Sequence, residues 1–418
     1  MKFSLKVWML CIAMVLCAGC LRIVVHGDPS QAAERMPETM MRAVRAALPP
    51  VRVATYNVSL HGDRTGALIT RLEQNDLNAR HVAAVIQKVR PDIILLNEFD
   101  FDAEGRAADL FQQRFLEVPQ FGEAAIVYPY RYFAPVNTGV ASGFDLDRDG
   151  NIGKSGRAYG NDAWGYGLYP GQYGMLVLSR YPIASAHTRS FKNLKWASIP
   201  GATSPINPVD GKPWYPERVW QRMPVSSKSH WDVPILTPQG RIHLLAAHPT
   251  PPAFDGPEDR NGHRNAAEIQ FWNAYIASPN ASWLCDDSGL CGGLTSAESF
   301  VVVGDLNADP KDGDGHHSAI NTLISNPRVS QYDAPRSRGG LERANAYALQ
   351  KLGDNATHTA DFGPRVGTLR VDYVLPSKDL ILEKSGIFWP TQDNPSARWT
   401  KASDHHLVWA DMRAATPK

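Results

Sequence analysis

The sequence predicts an α/β protein, on three observations. Short apolar runs of strand length recur along the chain, they alternate with stretches whose apolar residues fall at helical spacing, and polar residues of similar chemistry stand where the apolar runs end. The most pronounced run is Val301-Val-Val-Gly-Asp-Leu-Asn-Ala-Asp-Pro310. Three consecutive valines suit a strand buried on both faces. Gly304 lets the backbone turn, and Asp305 and Asn307, two apart, project to the same side. An Asx-type turn closing an ordinary strand would use the same residues, so the remainder of the chain has to decide between the two.

The elements follow in order. Val51-Arg-Val-Ala-Thr-Tyr alternates as a strand and delivers Asn57 at its end. A helix follows, capped by Asn75 or Asp76, with Val82, Val85, Ile86 and Val89 on one face and Pro91 as its stop. Ile93 to Leu96 is a short apolar strand that runs into Asn97 and Glu98. Residues 137–172 read as an insertion rich in Gly, Asp and Tyr. Met175 to Leu178 returns to strand, Arg180-Tyr-Pro-Ile leads into another, and 200–235 reads as a long ordered loop. Ile242 to Ala247 is a strand ending at His248, and Ile269, Trp272 and Ile276 mark a helix over about 262–276. After the valine strand, Ala319, Ile320, Leu323 and Ile324 mark a further helix. Leu369 to Leu375 is a strand carrying Asp372, and Leu407 to Trp409 is the last, preceded by Asp404 and His405.

At 418 residues the chain suffices for one large domain or two average ones, and its 43% apolar content can bury a large core. The formal net charge of +1 gives no chain-wide attraction to nucleic acid or anionic membrane, so any polyanion must be met by a local patch. Lys2 and Lys6 precede an apolar run from Val7 to Ala18, then Gly19 and Cys20: the layout of an export signal, too short to span a bilayer. Leu16-Cys-Ala-Gly-Cys20 resembles a bacterial lipoprotein signal but carries Leu16 one place too far upstream, leaving two outcomes open, free export or a lipid tether at Cys20. Residues 21–50 read as an irregular tether and 51–418 as one domain; the expected location is periplasmic, extracellular or membrane-anchored. Cys285 and Cys291, close together across a Gly-rich loop, suit a disulfide in such a compartment.

Asn57, Glu98, His248, Asp305 with Asn307, and Asp404 with His405 all stand where an apolar strand stops or is about to start. Ligands in sheet proteins gather there, because loops can be polar while the strands stay rigid. Glu98 and Asp404 are hard oxygen ligands, and Asn57 and Asn307 offer amide oxygens. With no cysteine among them, the set suits Mg²⁺, with Mn²⁺ as a substitute, better than a soft metal. His405 could serve as general acid or base, with Asp372 orienting it, and His248 could donate to a phosphate oxygen.

At these residues the chain resembles the endonuclease/exonuclease/phosphatase superfamily, the deoxyribonuclease I-like phosphoesterases. The matching pieces are Thr55-Tyr-Asn57, Leu96-Asn-Glu98, Tyr173 to Arg180, Ala247-His248, Gly304-Asp-Leu-Asn307, Val371-Asp-Tyr373 and Ser403-Asp-His405, in the family's order. The resemblance implies a four-layer α/β/β/α sandwich of two packed mixed sheets. It implies Glu98 as principal Mg²⁺ ligand with Asn57 and Asp404 near the metal, His248 and His405 as the active-site histidines, Asp372 paired to His405, and Asp305 with Asn307 positioning water and phosphate. Where relatives pair a Glu with the first histidine, this chain offers Gln172, which can orient His248 but not stabilise its cation.

Other features are open to two readings. Asp145, Asp147 and Asp149 match the first half of a calcium loop, but Gly156 stands where the bidentate Glu should be and Asp162 would have to close it; a solvated acidic turn is the alternative. Arg260 and Arg264, four apart, suit either a phosphate clamp or a loop held by its own ion pairs. Trp214, Trp220, Arg218, Arg222 and Ser226 to Trp231 suit either a nucleic-acid groove or core packing. The expected activity is hydrolysis of a phosphate ester, as a nuclease or other phosphodiesterase. The alternatives are a phosphatase acting on monoesters, lipids or sugar phosphates, and a catalytically silent binding protein. No obligate protein partner is evident.

Overall fold

The computed structural model describes residues 48–415 and, before them, only the short antiparallel strands β1 (Val15–Cys17) and β2 (Cys20–Arg22). The export signal and the tether therefore fall almost wholly outside the described residues. Residues Pro50–Pro417 form one compact unit.

Within that unit the strands are β3 (Val51–Leu60), β4 (Ile93–Phe99), β5 (Tyr130–Tyr132), β6 (Met175–Ser179), β7 (Arg189–Ser190), β8 (His230–Thr237), β9 (Gly240–Ala247), β10 (Ser299–Asp305), β11 (Ala360–Asp361), β12 (Thr368–Leu369), β13 (Asp372–Pro376), β14 (Leu380–Ile387) and β15 (Val408–Ala414). Eleven of them make a six-stranded sheet of order β14-β15-β3-β4-β6-β5 and a five-stranded sheet of order β13-β10-β9-β8-β7, while β11 and β12 pair antiparallel by themselves. Both sheets are mixed. In the first, β3 runs parallel to β4 with the Leu77–Val89 helix between them in sequence; in the second, β9 runs parallel to β10 with the Arg260–Ala277 helix between them. Each sheet thus contains one parallel β-α-β unit at its centre.

The period of two along each strand sorts side chains into layers. Val51, Val53, Ile93, Leu95, Met175 and Val177 of the first sheet meet Trp231, Val233, Ile242, Leu244, Val301 and Val303 of the second in a core between the sheets. The alternate residues, Ala54, Tyr56, Ile94 and Leu96, pack outward under the Leu77–Val89 helix. On the far side, Phe300, Val302, Tyr373 and Leu375 pack under Ile269, Trp272 and Ile276 of the Arg260–Ala277 helix and Ile320 and Leu323 of the His317–Ile324 helix. The result is helix, sheet, sheet, helix: the four-layer sandwich.

Several local expectations are corrected. Of the two proposed caps, Asp76 is the one used, its Oδ1 accepting from Ala79 N at 2.8 Å. The segment expected as one strand from Leu369 to Leu375 is broken, because Arg370 N donates to Asp309 Oδ2 and Val371 O accepts from Leu306 N, each at 2.8 Å, instead of joining a ladder. Asp372 consequently opens β13 and does not lie inside a longer strand. The expected 200–235 loop ends early, since β8 starts at His230; Pro234 and the polar residues around it mask its inward set of Trp231, Val233 and Ile235. Arg180-Tyr-Pro-Ile does not lead directly into a strand: Ile183 makes an isolated bridge to Ile235, a short 3₁₀ turn follows, and only then comes the two-residue β7. Cys285 and Cys291 form the expected disulfide.

Candidate active site

The two parallel pairs end side by side, and their ends carry the polar residues. Asn57 lies near the end of β3, Glu98 near that of β4, His248 just past β9, and Asp305 closes β10 with Asn307 two residues on. Asp372, paired in register with Asp305, opens β13, and Asp404 and His405 precede β15.

Asp305 is the hub. Its Oδ2 accepts from Asn57 Nδ2 at 3.1 Å and lies 3.4 Å from His248 Nε2 and 3.5 Å from His405 Nε2. Its Oδ1 accepts from the backbone N of Asn307 at 2.9 Å, which closes the turn that the sequence offered as an alternative. Turn and site are the same structure. Burial works against the Asp305 charge, but His405, His248 and the Asn57 amide outweigh it and hold the carboxyl well below the usual carboxylate range.

His405 Nδ1 lies 2.9 Å from Asp372 Oδ2, which also accepts from Thr359 Oγ1 at 2.7 Å. Burial opposes a charge on the imidazole, yet Asp372 and Asp305 flank it and raise its pKa well above the ordinary histidine value. Burial raises Asp372, against the pull of His405. His248 is the opposite case. Burial, reinforced by the nearby Lys228 charge, lowers its pKa, and among the described residues its Nδ1 has no hydrogen-bond partner. Two histidines against one carboxylate therefore differ in charge, because only His405 has a second carboxylate behind it.

Glu98 adopts a left-handed conformation at φ 57°, a geometry that costs a non-glycine residue roughly 1–3 kcal/mol and turns its carboxylate out of the strand. His61 Nε2 lies 3.6 Å from its Oε2, and the His61 ring packs on Tyr173. Asp404 is open to solvent at the rim, and its pKa is raised by the protein around it and by the charges of Glu98 and Asp305, against His405. Two carboxylates repelling each other, with hard oxygen atoms turned to solvent, fit a divalent cation of the magnesium type. Asn57 is committed to Asp305 and Ser59 N, so it buttresses that pair from the Asp305 side.

Of the residues expected to bind substrate, Gln172 and Arg264 are engaged elsewhere, and Arg260 takes the ion-pair alternative. Gln172 does not reach His248; its Oε1 accepts from Leu168 N and its Nε2 donates to Gly62 O, tying two loops together. Arg264 is buried and donates to the carbonyls of Val225 and Pro224, so it cannot clamp phosphate. Arg260 pairs with Glu258 and stacks on Trp214. Of the Trp–Arg stretch only the tryptophans Trp220 and Trp231 are core, Trp220 packing on Trp196, whereas Trp214 is half-buried and Arg218 and Arg222 are exposed beside Phe144. In the acidic loop the carboxylates that converge are Asp145, Asp147 and Asp162; Asp149 turns away, accepting from Asn151 N.

Three residues stand out that the sequence reading left without a role. Lys228 is 5% exposed, and among the described residues its ammonium has no hydrogen-bond or ion-pair partner. Burial lowers its pKa against the pull of Glu268, Glu98 and Asp305, which places it in the field of the site. Glu268, also buried, accepts from Ser227 N and Thr250 N, both at 2.6 Å, and so fixes the segments carrying Lys228 and His248. Asn97 stitches the two sheets beneath the site: its Oδ1 accepts from Thr55 Oγ1 and Asp305 N, each at 3.2 Å, and its Nδ2 donates to Ala247 O. Asn97 and Lys228 fall in stretches that the sequence marks, Leu96-Asn-Glu98 and Ser226 to Trp231, but nothing there gives their individual roles, and Glu268 is one polar residue on a helix.

A family model described as the endonuclease/exonuclease/phosphatase family matches residues 54–405. No curated protein matches the chain in sequence. Among solved structures, an endonuclease/exonuclease/phosphatase from Beutenbergia cavernae DSM 12333 is 16% identical with TM-score 0.48, covering 88% of this chain and 72% of its own. Sphingomyelinase C from Streptomyces griseocarneus is 18% identical with TM-score 0.43, covering 87% and 99%. A beta toxin mutant from Staphylococcus aureus with bound magnesium ions is 13% identical with TM-score 0.42, covering 87% and 99%. With the family match running from the first central strand to His405, the chain belongs to the endonuclease/exonuclease/phosphatase family, whose members hydrolyse phosphate esters.

Proposed function

We propose that the protein is an exported, magnesium-dependent phosphoesterase that cleaves its substrate by direct in-line attack of water. The observation that carries this is the charge pattern around Asp305: an ionised carboxylate between a neutral and a positively charged imidazole, beside two carboxylates that repel each other. Glu98 and Asp404 would hold the cation, and when bound it would polarise a phosphoryl oxygen and offset charge in the displacement. Asp305, with Asn307 turned beside it, would orient the attacking water and accept its proton. His405, kept protonated by Asp372, would donate to the leaving oxygen. His248 Nε2 and the Lys228 ammonium would meet the non-bridging oxygens.

The substrate class is narrowed by what the arginines and tryptophans do. With Arg264, Trp220 and Trp231 buried, Arg218 and Arg222 left as the exposed arginines of that stretch, and a net charge of +1, the cations available to track a polynucleotide backbone are few, so we place a small or lipid phosphodiester ahead of DNA or RNA. The test presents plasmid DNA, RNA, bis-p-nitrophenyl phosphate and a phosphomonoester, each with Mg²⁺, Mn²⁺ or EDTA. Metal-dependent turnover of the diester is expected, and metal-independent turnover, or none on a wider lipid and sugar phosphate panel, overturns the reading and returns the silent binding protein. Export rests on residues 1–20 alone, and recovery of the full chain from the cytoplasmic fraction would refute it. Replacing Lys228 with Met, nearly its volume without its charge, is expected to lower kcat/KM by about 10–100-fold with little change in melting temperature. An unchanged kcat/KM would show that the lysine meets no phosphate.

A further inference from the structure

A second cluster of ligating groups lies outside the catalytic residues, where the loop after Asn307 meets the segment before Thr359. Asp309, Asp312 and His358 each offer a ligand atom, and these lie within 4.8 Å of one another. His358 is 1% exposed, and its Nδ1 lies 2.7 Å from Thr368 Oγ1. With Nδ1–H donating to that hydroxyl, Nε2 keeps its lone pair. That nitrogen is buried and, among the described residues, has no hydrogen-bond partner. An orphaned ring nitrogen facing two carboxylates is costly unless something lies between them.

The carboxylates are already oriented by backbone groups. Asp309 accepts from Lys311 N, Asp312 N and Arg370 N, and Asp312 accepts from Leu352 N and Gly353 N. Each oxygen pair has about four lone-pair positions, so both carboxylates retain capacity after these bonds. A hydrogen bond directing a metal-ligating side chain is the usual support of such a site, and the Thr368 contact to the imidazole is of the same kind. Gly353 keeps the gap open: a Cβ there would lie 3.0 Å from Asp312 Oδ2 and 3.6 Å from His358 Nε2.

We propose that Asp309, Asp312 and His358 bind a first-row transition dication of the zinc class, separate from the magnesium expected at Glu98 and Asp404. An ion about 2.0–2.2 Å from nitrogen and oxygen ligands would draw groups at this spacing together by small side-chain shifts, and an imidazole among the donors favours zinc over magnesium or calcium. The ion would be structural. It would tie the loop that follows Asn307 to the segment that precedes Thr359, whose hydroxyl holds Asp372 behind His405. Both flanks of the catalytic centre would then be fixed by one ligand set.

The test uses the full chain, stripped with EDTA and dialysed into excess Mg²⁺ so that the catalytic site is saturated. Zn²⁺ is then titrated by calorimetry, with Mn²⁺ and Ca²⁺ as separate arms, and melting is followed in parallel. One Zn²⁺ per chain is expected, with a rise in melting temperature on binding. Asp312→Asn keeps the shape and one acceptor while removing a charge, and Gly353→Ala crowds the gap; each is expected to weaken Zn²⁺ binding at least about tenfold and to abolish the rise. His358→Ala should lose binding outright, and if it does not fold the other two variants carry the test. Zn²⁺ binding that is absent, or that persists unweakened in Asp312→Asn and Gly353→Ala, overturns the proposal. Loss of Zn²⁺ binding on His263→Ala, which alters the separate Asp259–His263–His316 cluster, would overturn it equally.

Discussion

Replacing His405 with alanine is expected to lower kcat by about 10²–10⁴-fold, the usual contribution of a positioned proton donor, with KM changed far less. The expectation rests on placement. His405 is buried, faces Asp305 through Nε2 and is backed by Asp372 through Nδ1. Burial alone would strip its proton, and the two carboxylates reverse that. Asp372→Asn should retain the imidazole while removing its charged partner, and is expected to lower kcat with a smaller penalty than His405→Ala. Far-ultraviolet circular dichroism and melting curves belong beside the kinetics, since removing His405 leaves Asp372 buried with, among the described residues, only Thr359 as side-chain partner. A near-normal rate in folded His405→Ala would show that another group donates the proton.

Gly304→Ala is expected to cost roughly 3 kcal/mol or more and to leave little folded protein, judged by the denaturation midpoint and soluble yield. A Cβ at this position would lie 2.0 Å from the Ala247 carbonyl oxygen, well inside contact distance, and the backbone has φ 148°, a region that side chains disfavour. Overpacking of a buried site contributes about 1–3 kcal/mol and the backbone strain about another 1 kcal/mol. The displaced neighbour is the strand that carries His248, so any protein that does fold should have lost activity as well. A Gly304→Ala variant with wild-type stability and rate would mean that β9 and β10 can separate without disturbing the site.

What the sequence determined by itself was the set of strand-end groups and the fold that presents them. Apolar runs with a period of two, bounded by Asn57, Glu98, His248, Asp305 and His405, are a local pattern, and local patterns survive in one dimension. What it left open was which of two chemically similar residues does what. Gln172 and Lys228 are both polar residues near strands, yet one ties loops together and the other, without a side-chain partner among the described residues, lies in the field of Glu98 and Asp305. Arg260 and Arg264 have phosphate-clamp spacing, but helix Arg260–Ala277 turns Arg264 toward the Val225 carbonyl. Gly304 was read as permitting a turn, whereas it permits two strands to approach. Charge is decided last of all: His248 and His405 both face Asp305, and only the tertiary structure sets Lys228 near one and Asp372 behind the other. Burial and a neighbour's charge depend on chain segments scores of residues apart, and no local sequence pattern carries them.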